Sequence, residues 1–267
     1  MNHFPHLRTA TALALATLSV LGLAACEGGT GAKAGPASTT TDAAAPQAGG
    51  PTGHGKPPKL LWMGDSVAEA EAPALGAALR ASGGEFTSVA ATASGNVTGS
   101  DAAETWKWLP EKLATEKPQV LGYQITAFDW GTPDEQRKGY ERLVKAVQDV
   151  RGKLVIVSTP PIRHNEIQKP HAAELAKAKD VAQEVARRHA DTVTFMDSSE
   201  LWGTDPAAEK AMRSKDGIHN CQQAAATFAQ WFGGRLGRQY GFTLAPAEKW
   251  ATGKWTGDAS YGMAGCS

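Results

Sequence analysis

The chain has 267 residues, a length that one large α/β domain can account for, and its 20% charged and 42% hydrophobic residues suit a globular protein. Lys and Arg number 27 and Asp and Glu number 27, so the net charge is zero and no basic excess marks a nucleic-acid-binding surface. The same balance gives no argument for attraction to an anionic membrane surface.

The first residues carry an address rather than a fold. Residues 1–8 are weakly basic, residues 9–23 form an apolar run rich in Ala and Leu, and small residues follow. Such a run is short for a bilayer span, and with its flanks it has the layout of a secretory signal peptide. It closes on Leu23-Ala24-Ala25-Cys26, which resembles the lipobox of bacterial lipoproteins, where the peptide is cut before the cysteine and the thiol is acylated. Residues 1–25 are therefore expected to be a signal peptide. Cys26 is expected to be lipidated and to hold the protein at the extracytoplasmic face of the cell membrane. The chain has 3 cysteines, an odd number for an exported protein. With Cys26 acylated, Cys221 and Cys266 remain as one pair, and a disulfide between them persists outside the cytoplasm.

Residues 26–57 are Gly, Ala, Thr, Ser and Pro with almost no large apolar group, too little to bury a core. They are read as a disordered tether. The domain then spans residues 58–267. Leu60-Leu61-Trp62-Met63 is a short apolar strand ending at Gly64. Residues 68–82 are Ala- and Leu-rich and stop at Gly83-Gly84, which predicts a helix. A second strand is expected over 86–90, a helix over 106–115, and a third strand over 119–126. Residues 133–150 are helical, with Leu143, Val144, Val147 and Val150 on one face. Leu154-Val155-Ile156-Val157 is a continuous apolar run, as buried parallel strands are. A helix over 172–189, a fifth strand over 193–196 and a closing helix over 222–240 complete the pattern. Strands alternating with helices predict a parallel five-stranded sheet covered on both faces, a three-layer α/β/α sandwich. Residues 250–266 show no periodicity and read as a tail pinned to the domain by the disulfide.

In this architecture ligands sit at the carboxyl ends of the strands, and two motifs fall there. Gly64-Asp65-Ser66 follows the first strand and opens the first helix, which would present the Ser66 hydroxyl at the sheet edge and its N–H at a helix N-terminus. Asp216-Gly217-Ile218-His219 precedes the last helix. A serine nucleophile needs a base, and the base needs a carboxylate to fix its tautomer; His219 and Asp216 can supply both.

In this order the two motifs resemble those of the SGNH (GDSL-type) hydrolase superfamily. Gly64-Asp65-Ser66-Val67 is similar to its first block and residues 216–219 to its last. Ala93-Ser94-Gly95-Asn96-Val97-Thr98 looks like the second block, which implies that Gly95 is an oxyanion donor beside the Ser66 N–H. The third block usually reads Gly-x-Asn-Asp. Here Thr126-Ala127-Phe128-Asp129 places Phe128, which cannot donate, at the Asn position. The resemblance implies a flavodoxin-like fold and a serine esterase with Ser66, Asp216 and His219 as the triad and no cofactor or metal. It also implies a small ester or acylated carbohydrate as substrate. Asp129, and Arg163 and His164 after the fourth strand, are expected to contact that substrate. Two rivals remain: an O-acyltransferase passing the same acyl group to a sugar, and, because of Phe128, a lipid-anchored binding module with little catalysis.

Overall fold

The computed structural model describes residues 54–266; the expected signal peptide, Cys26 and the tether up to residue 53 lie outside the described residues. Five strands form one parallel sheet: β1 (Leu60–Met63), β2 (Phe86–Ser88), β3 (Val120–Gln124), β4 (Lys153–Val157) and β5 (Val193–Met196). Their order across the sheet is β2-β1-β3-β4-β5. All four pairings are parallel, with Leu60 opposite both Phe86 and Val120. β1, β3 and β4 are almost wholly buried, which explains why they read as unbroken apolar runs rather than alternating ones.

Seven α-helices flank the sheet among the described residues: α1 (Ser66–Ala81), α2 (Ala102–Glu116), α3 (Pro133–Asp149), α4 (Ala172–Arg188), α5 (Ser199–Trp202), α6 (Gln222–Tyr240) and α7 (Ala259–Met263). On one face α1 and α6 pack through Ala74, Ala78, Leu79, Phe228 and Phe232, with Trp62 of β1 inserted between the sheet and α6. On the other, Leu109, Leu113, Tyr140, Val144, Val181 and Val185 cover Leu121, Tyr123 and Ile156. The three-layer sandwich is as expected from the alternation of elements.

Chain order and strand order part company at β1. The chain passes from β1 to β2 on one side and returns to β3 on the other, so the loops after β1 and β3 diverge and leave a crevice at their carboxyl ends.

Some element ends differ from expectation. α1 starts at Ser66 because Asp65 caps it, its side chain accepting from the Val67 N–H at 3.0 Å. α2 starts four residues earlier than expected, at Ala102, and carries Pro110 inside it. The segment after α6 is not a featureless tail. Trp250 and Tyr261 are buried in the core beside α1, and α7 forms its last helical turn. Cys221, the N-cap residue of α6, is disulfide-bonded to Cys266 across 45 residues of sequence.

Candidate active site

Ser66, Asp216 and His219 come together at the crevice. The His219 Nδ1 lies 2.6 Å from Asp216 Oδ2, and Nε2 lies 2.7 Å from Ser66 Oγ. Asp216 is the acceptor in the first contact, so Nδ1 carries the proton and Nε2 is left to accept from the serine hydroxyl. Asp216 is itself held: its Oδ1 accepts from Ser214 Oγ (2.7 Å) and from the N–H groups of Ile218 (2.7 Å) and His219 (3.0 Å). Partial burial raises its pKa, but the His219 side chain, the Ser214 hydroxyl and the two backbone donors outweigh that and draw it down to about 2. Asp216 is therefore an anion near neutral pH, and it can stabilise an imidazolium on His219.

Arg163 braces the loop that carries this pair. Its backbone N–H donates to the Gly217 carbonyl (2.8 Å), and its guanidinium donates to the Asp216 and Lys215 carbonyls (3.3 and 3.1 Å). Gly217 has φ +73°, and a Cβ there would stand 2.6 Å from the Arg163 guanidinium, so only glycine makes this turn under the arginine.

Ser66 is placed by Asp65. The Asp65 carboxylate is buried, caps α1 with one oxygen and accepts from the Ala127 N–H at 2.7 Å with the other, so it ties the loop after β3 to the start of α1. Burial raises its pKa against the pull of the Ala127 and Val67 donors. Gly95, with φ +81°, lies against the same turn: a Cβ on it would fall 2.4 Å from the Gly64 carbonyl oxygen. Gly95 therefore packs against the backbone of the turn two residues ahead of Ser66, where only a residue without a Cβ fits.

Three residues expected to contact substrate stand elsewhere. Asp129 is fully buried; its carboxylate accepts from the N–H groups of Val97 (3.0 Å), Thr98 (3.4 Å) and Thr126 (3.1 Å) and from the Tyr123 hydroxyl. Burial pushes its pKa up to about 7 even against those donors. With no oxygen to spare and no access to the cleft, Asp129 positions loops. Arg163 lines a second cavity with Pro206, Met212 and Arg213, and its role is the brace described above. His164 faces a third cavity, which meets the cleft only at Ala127.

The cleft at Ser66 and His219 encloses about 300 Å³. Its walls are Glu69 and Thr92 on one side, Ala127 and Phe128 on another, Asn165 and Gln168 from the β4–α4 loop, and Ser260 and Ala264 from the C-terminal segment. Thr92 donates its hydroxyl to Glu69 at 2.9 Å. Phe128 lines the cleft, half-buried, with its ring against Trp130 at 5.6 Å. Apart from Phe128, the wall residues were not foreseen. Glu69 had a signal, since it lies three residues beyond Ser66 and so on the same helix face. Ser260 and Ala264 had only the disulfide as a pointer. His171 and Glu174, which share a helical face, pair with one another (3.2 Å), and His171 stacks on Trp130 (4.1 Å).

No protein-family model matches this sequence, and no curated protein sequence matches it either. Solved structures do. An α/β hydrolase from the metagenome of Lake Arreo in Spain superposes with a TM-score of 0.51 at 17% identity, covering 68% of this chain and 95% of its own. A catalytic mutant of an acetylxylan esterase from Geobacillus stearothermophilus gives 0.51 at 15% identity, covering 72% and 98%. A protein described as an SGNH hydrolase, from Slackia heliotrinireducens, gives 0.51 at 17% identity, covering 66% and 97%. The fold is that of the SGNH hydrolases. At these identities the likeness speaks for architecture, and the chemistry rests on the residues of this chain.

Proposed function

We propose that the protein is a serine esterase that removes short acyl groups, with Ser66 as nucleophile, His219 as base and Asp216 as its orienting carboxylate. The observation that carries this reading is the continuous chain Ser66 Oγ–His219 Nε2 (2.7 Å) and His219 Nδ1–Asp216 Oδ2 (2.6 Å) at the mouth of a cleft. A serine that merely capped a helix would not need an oriented imidazole, and an imidazole that merely packed would not need a carboxylate on its far nitrogen.

In this mechanism Ser66 Oγ attacks the acyl carbon while its proton passes to His219 Nε2. The imidazolium is stabilised by Asp216. Negative charge builds on the acyl oxygen, where the Ser66 N–H at the start of α1 and the Gly95 N–H are the backbone donors in this reading. The tetrahedral species collapses, His219 gives its proton to the departing alkoxide, and an acyl-Ser66 remains. Water, deprotonated by His219, then attacks that ester and frees the acid.

A short acyl group fits a cleft of about 300 Å³ that also takes part of the alcohol. The acetylxylan esterase among the solved neighbours, and a wall bearing the hydroxyls of Thr92 and Ser260 and the amides of Asn165 and Gln168, support an acylated carbohydrate as substrate. The apolar run ending at Leu23-Ala24-Ala25-Cys26 supports an exported protein held at the membrane by lipid on Cys26. A Cys26→Ala protein that stays equally membrane-bound, with no lipid mass on the wild type, refutes the anchor.

The decisive experiment is fluorophosphonate labelling of the purified domain together with p-nitrophenyl acetate hydrolysis. Labelling at Ser66, and turnover lost in Ser66→Ala, are expected. Turnover that persists in Ser66→Ala refutes the triad, and absence of both labelling and turnover in the wild type leaves a binding module.

A further inference from the structure

The cleft holds a side-chain amide with nothing to donate to. Gln168 lies on the loop between β4 and α4 and is 3% exposed, yet it lines the Ser66–His219 cleft. Its conformation is fixed locally. Asn165 Oδ1 accepts from the N–H groups of Ile167 (2.9 Å) and Gln168 (3.2 Å), and the Asn165 carbonyl accepts from the N–H groups of Gln168 (3.1 Å) and Lys169 (2.9 Å). The Gln168 Oε1 in turn accepts from the Asn165 N–H at 3.1 Å.

That last bond decides which end of the carboxamide faces where. Exchanging Oε1 and Nε2 would set an N–H₂ group against a backbone N–H, two donors in opposition, so the amino group must be the other end. Among the described residues Nε2 has no hydrogen-bond partner, and it is not among the polar atoms sealed from solvent. Gln168 as a residue lines the cleft, which leaves that donor available to a ligand bound there. A near-buried amide that keeps two donors unpaired is costly unless a ligand or water takes them. In the same cleft Phe128 puts a ring without a donor where the fold's relatives were expected to offer an Asn amide.

We propose that Gln168 is a substrate-contacting residue whose Nε2 donates to the acyl oxygen of the bound ester, the side-chain donation that Phe128 cannot make. This rests on the esterase reading above. As charge grows on that oxygen, a donor already locked in place strengthens its bond with no reorganisation, so its effect falls on the chemical step rather than on ground-state binding.

Gln168→Glu removes the donor while a carboxylate still accepts from the Asn165 N–H and keeps the loop turn; because it also brings negative charge into the cleft, the loss of kcat must recur in a neutral variant. Gln168→Met removes both and serves as the second variant, with circular dichroism melts confirming that each folds. Three quantities are read: kcat and KM for p-nitrophenyl acetate, and the second-order rate of fluorophosphonate labelling at Ser66. In Gln168→Glu we expect kcat to fall about 100-fold with KM within about 3-fold of wild type, and labelling to slow in parallel. Unchanged kcat and labelling in both variants overturns the proposal, as does a raised KM at unchanged kcat. A loss in Gln168→Met with none in Gln168→Glu overturns it in favour of a loop-holding role. If the wild type itself neither labels nor turns over, the esterase reading falls and the donor falls with it, whereas an active wild type with an equally active Gln168→Glu removes the donor alone.

Discussion

Breaking the Cys221–Cys266 disulfide should both destabilise the domain and open the cleft. The bond closes a loop of 45 residues, and constraint of the unfolded chain over that length corresponds to roughly 4 kcal/mol as an upper figure. For a domain of this size a loss of that order lowers Tm by roughly 8–16 °C. The domain should remain folded, because the C-terminal segment has other holds: Trp250 and Tyr261 are buried against α1, and Trp250 Nε1 donates to the Ala245 carbonyl at 2.8 Å. What loosens first is the stretch nearest the bond. Ser260 and Ala264 form one wall of the cleft just before Cys266, and Cys221 stands two residues after His219. Thermal melts of wild type and Cys266→Ser, with and without reductant, measure the first effect. KM for p-nitrophenyl acetate measures the second, and it should rise more than kcat falls. A Tm change under about 3 °C shows that the bond constrains little. An unchanged KM in a protein that has lost the bond shows that the C-terminal segment does not shape the cleft.

Removing triad members should give unequal losses. Ser66→Ala and His219→Ala should each abolish nearly all ester turnover, and combining them should cost no more than either alone, since the hydroxyl and the base act as one unit; additive losses would refute that coupling. Asp216→Ala should lose less, leaving a measurable rate, because it orients and charges the imidazole without touching the acyl group. Asp129→Ala should cost about 3–5 kcal/mol in denaturant unfolding, since it strands the buried Tyr123 hydroxyl and the Val97, Thr98 and Thr126 N–H groups; a cost below about 1 kcal/mol would mean that water replaces the carboxylate freely. Glu71 is fully buried on α1, with one oxygen accepting from Gln124 at 2.8 Å and the other without a partner, and burial pushes its carboxyl up to about 8 despite the Arg213 charge nearby. Between its unfolded value, about 4.3, and about 8, the folded chain keeps a proton that the unfolded chain has lost, so stability falls as pH rises through that window, by at most about 1.4 kcal/mol per pH unit from this group. Glu71→Gln should flatten that slope and leave stability at the acid end of the window nearly unchanged; an unaltered slope refutes the assignment.

The sheet was readable from the sequence because its central strands are buried on both faces. Val155, Ile156 and Val157 have no alternative to an apolar run, and the helices between announce themselves by period. The ends of elements were less readable, because they depend on single contacts such as the Asp65 cap or on a proline tolerated inside α2. The meeting of Ser66, His219 and Asp216 was legible for a different reason: Ser66 and the Asp216–His219 pair lie at element junctions whose place at one edge follows from parallel topology alone. The cleft walls were not. Gln168, Ser260 and Ala264 come from an Asx turn and a disulfide-held segment, neither of which has a periodicity, and what they face depends on packing across more than 90 residues of sequence. Asp129 was misassigned for a related reason. Adjacency to a motif says where a backbone lies and not which way its carboxylate points.

Phe128 and Asp129 are neighbours in one motif but answer to separate demands. Asp129 gathers the loop after β2 through Val97 and Thr98, the end of β3 through Tyr123, and the following turn through Thr126. Phe128 only has to fill a place on the cleft wall. Exchange of the first residue gives up one half-buried ring contact, with Trp130, and leaves the buried hydrogen bonds of the second in place. Loss of the second strands four buried donors at once and weakens the scaffold on which the cleft is built. Under the esterase reading, position 128 and its partners across the cleft are the places to vary, with Asp129 left as the fixed peg on which they hang.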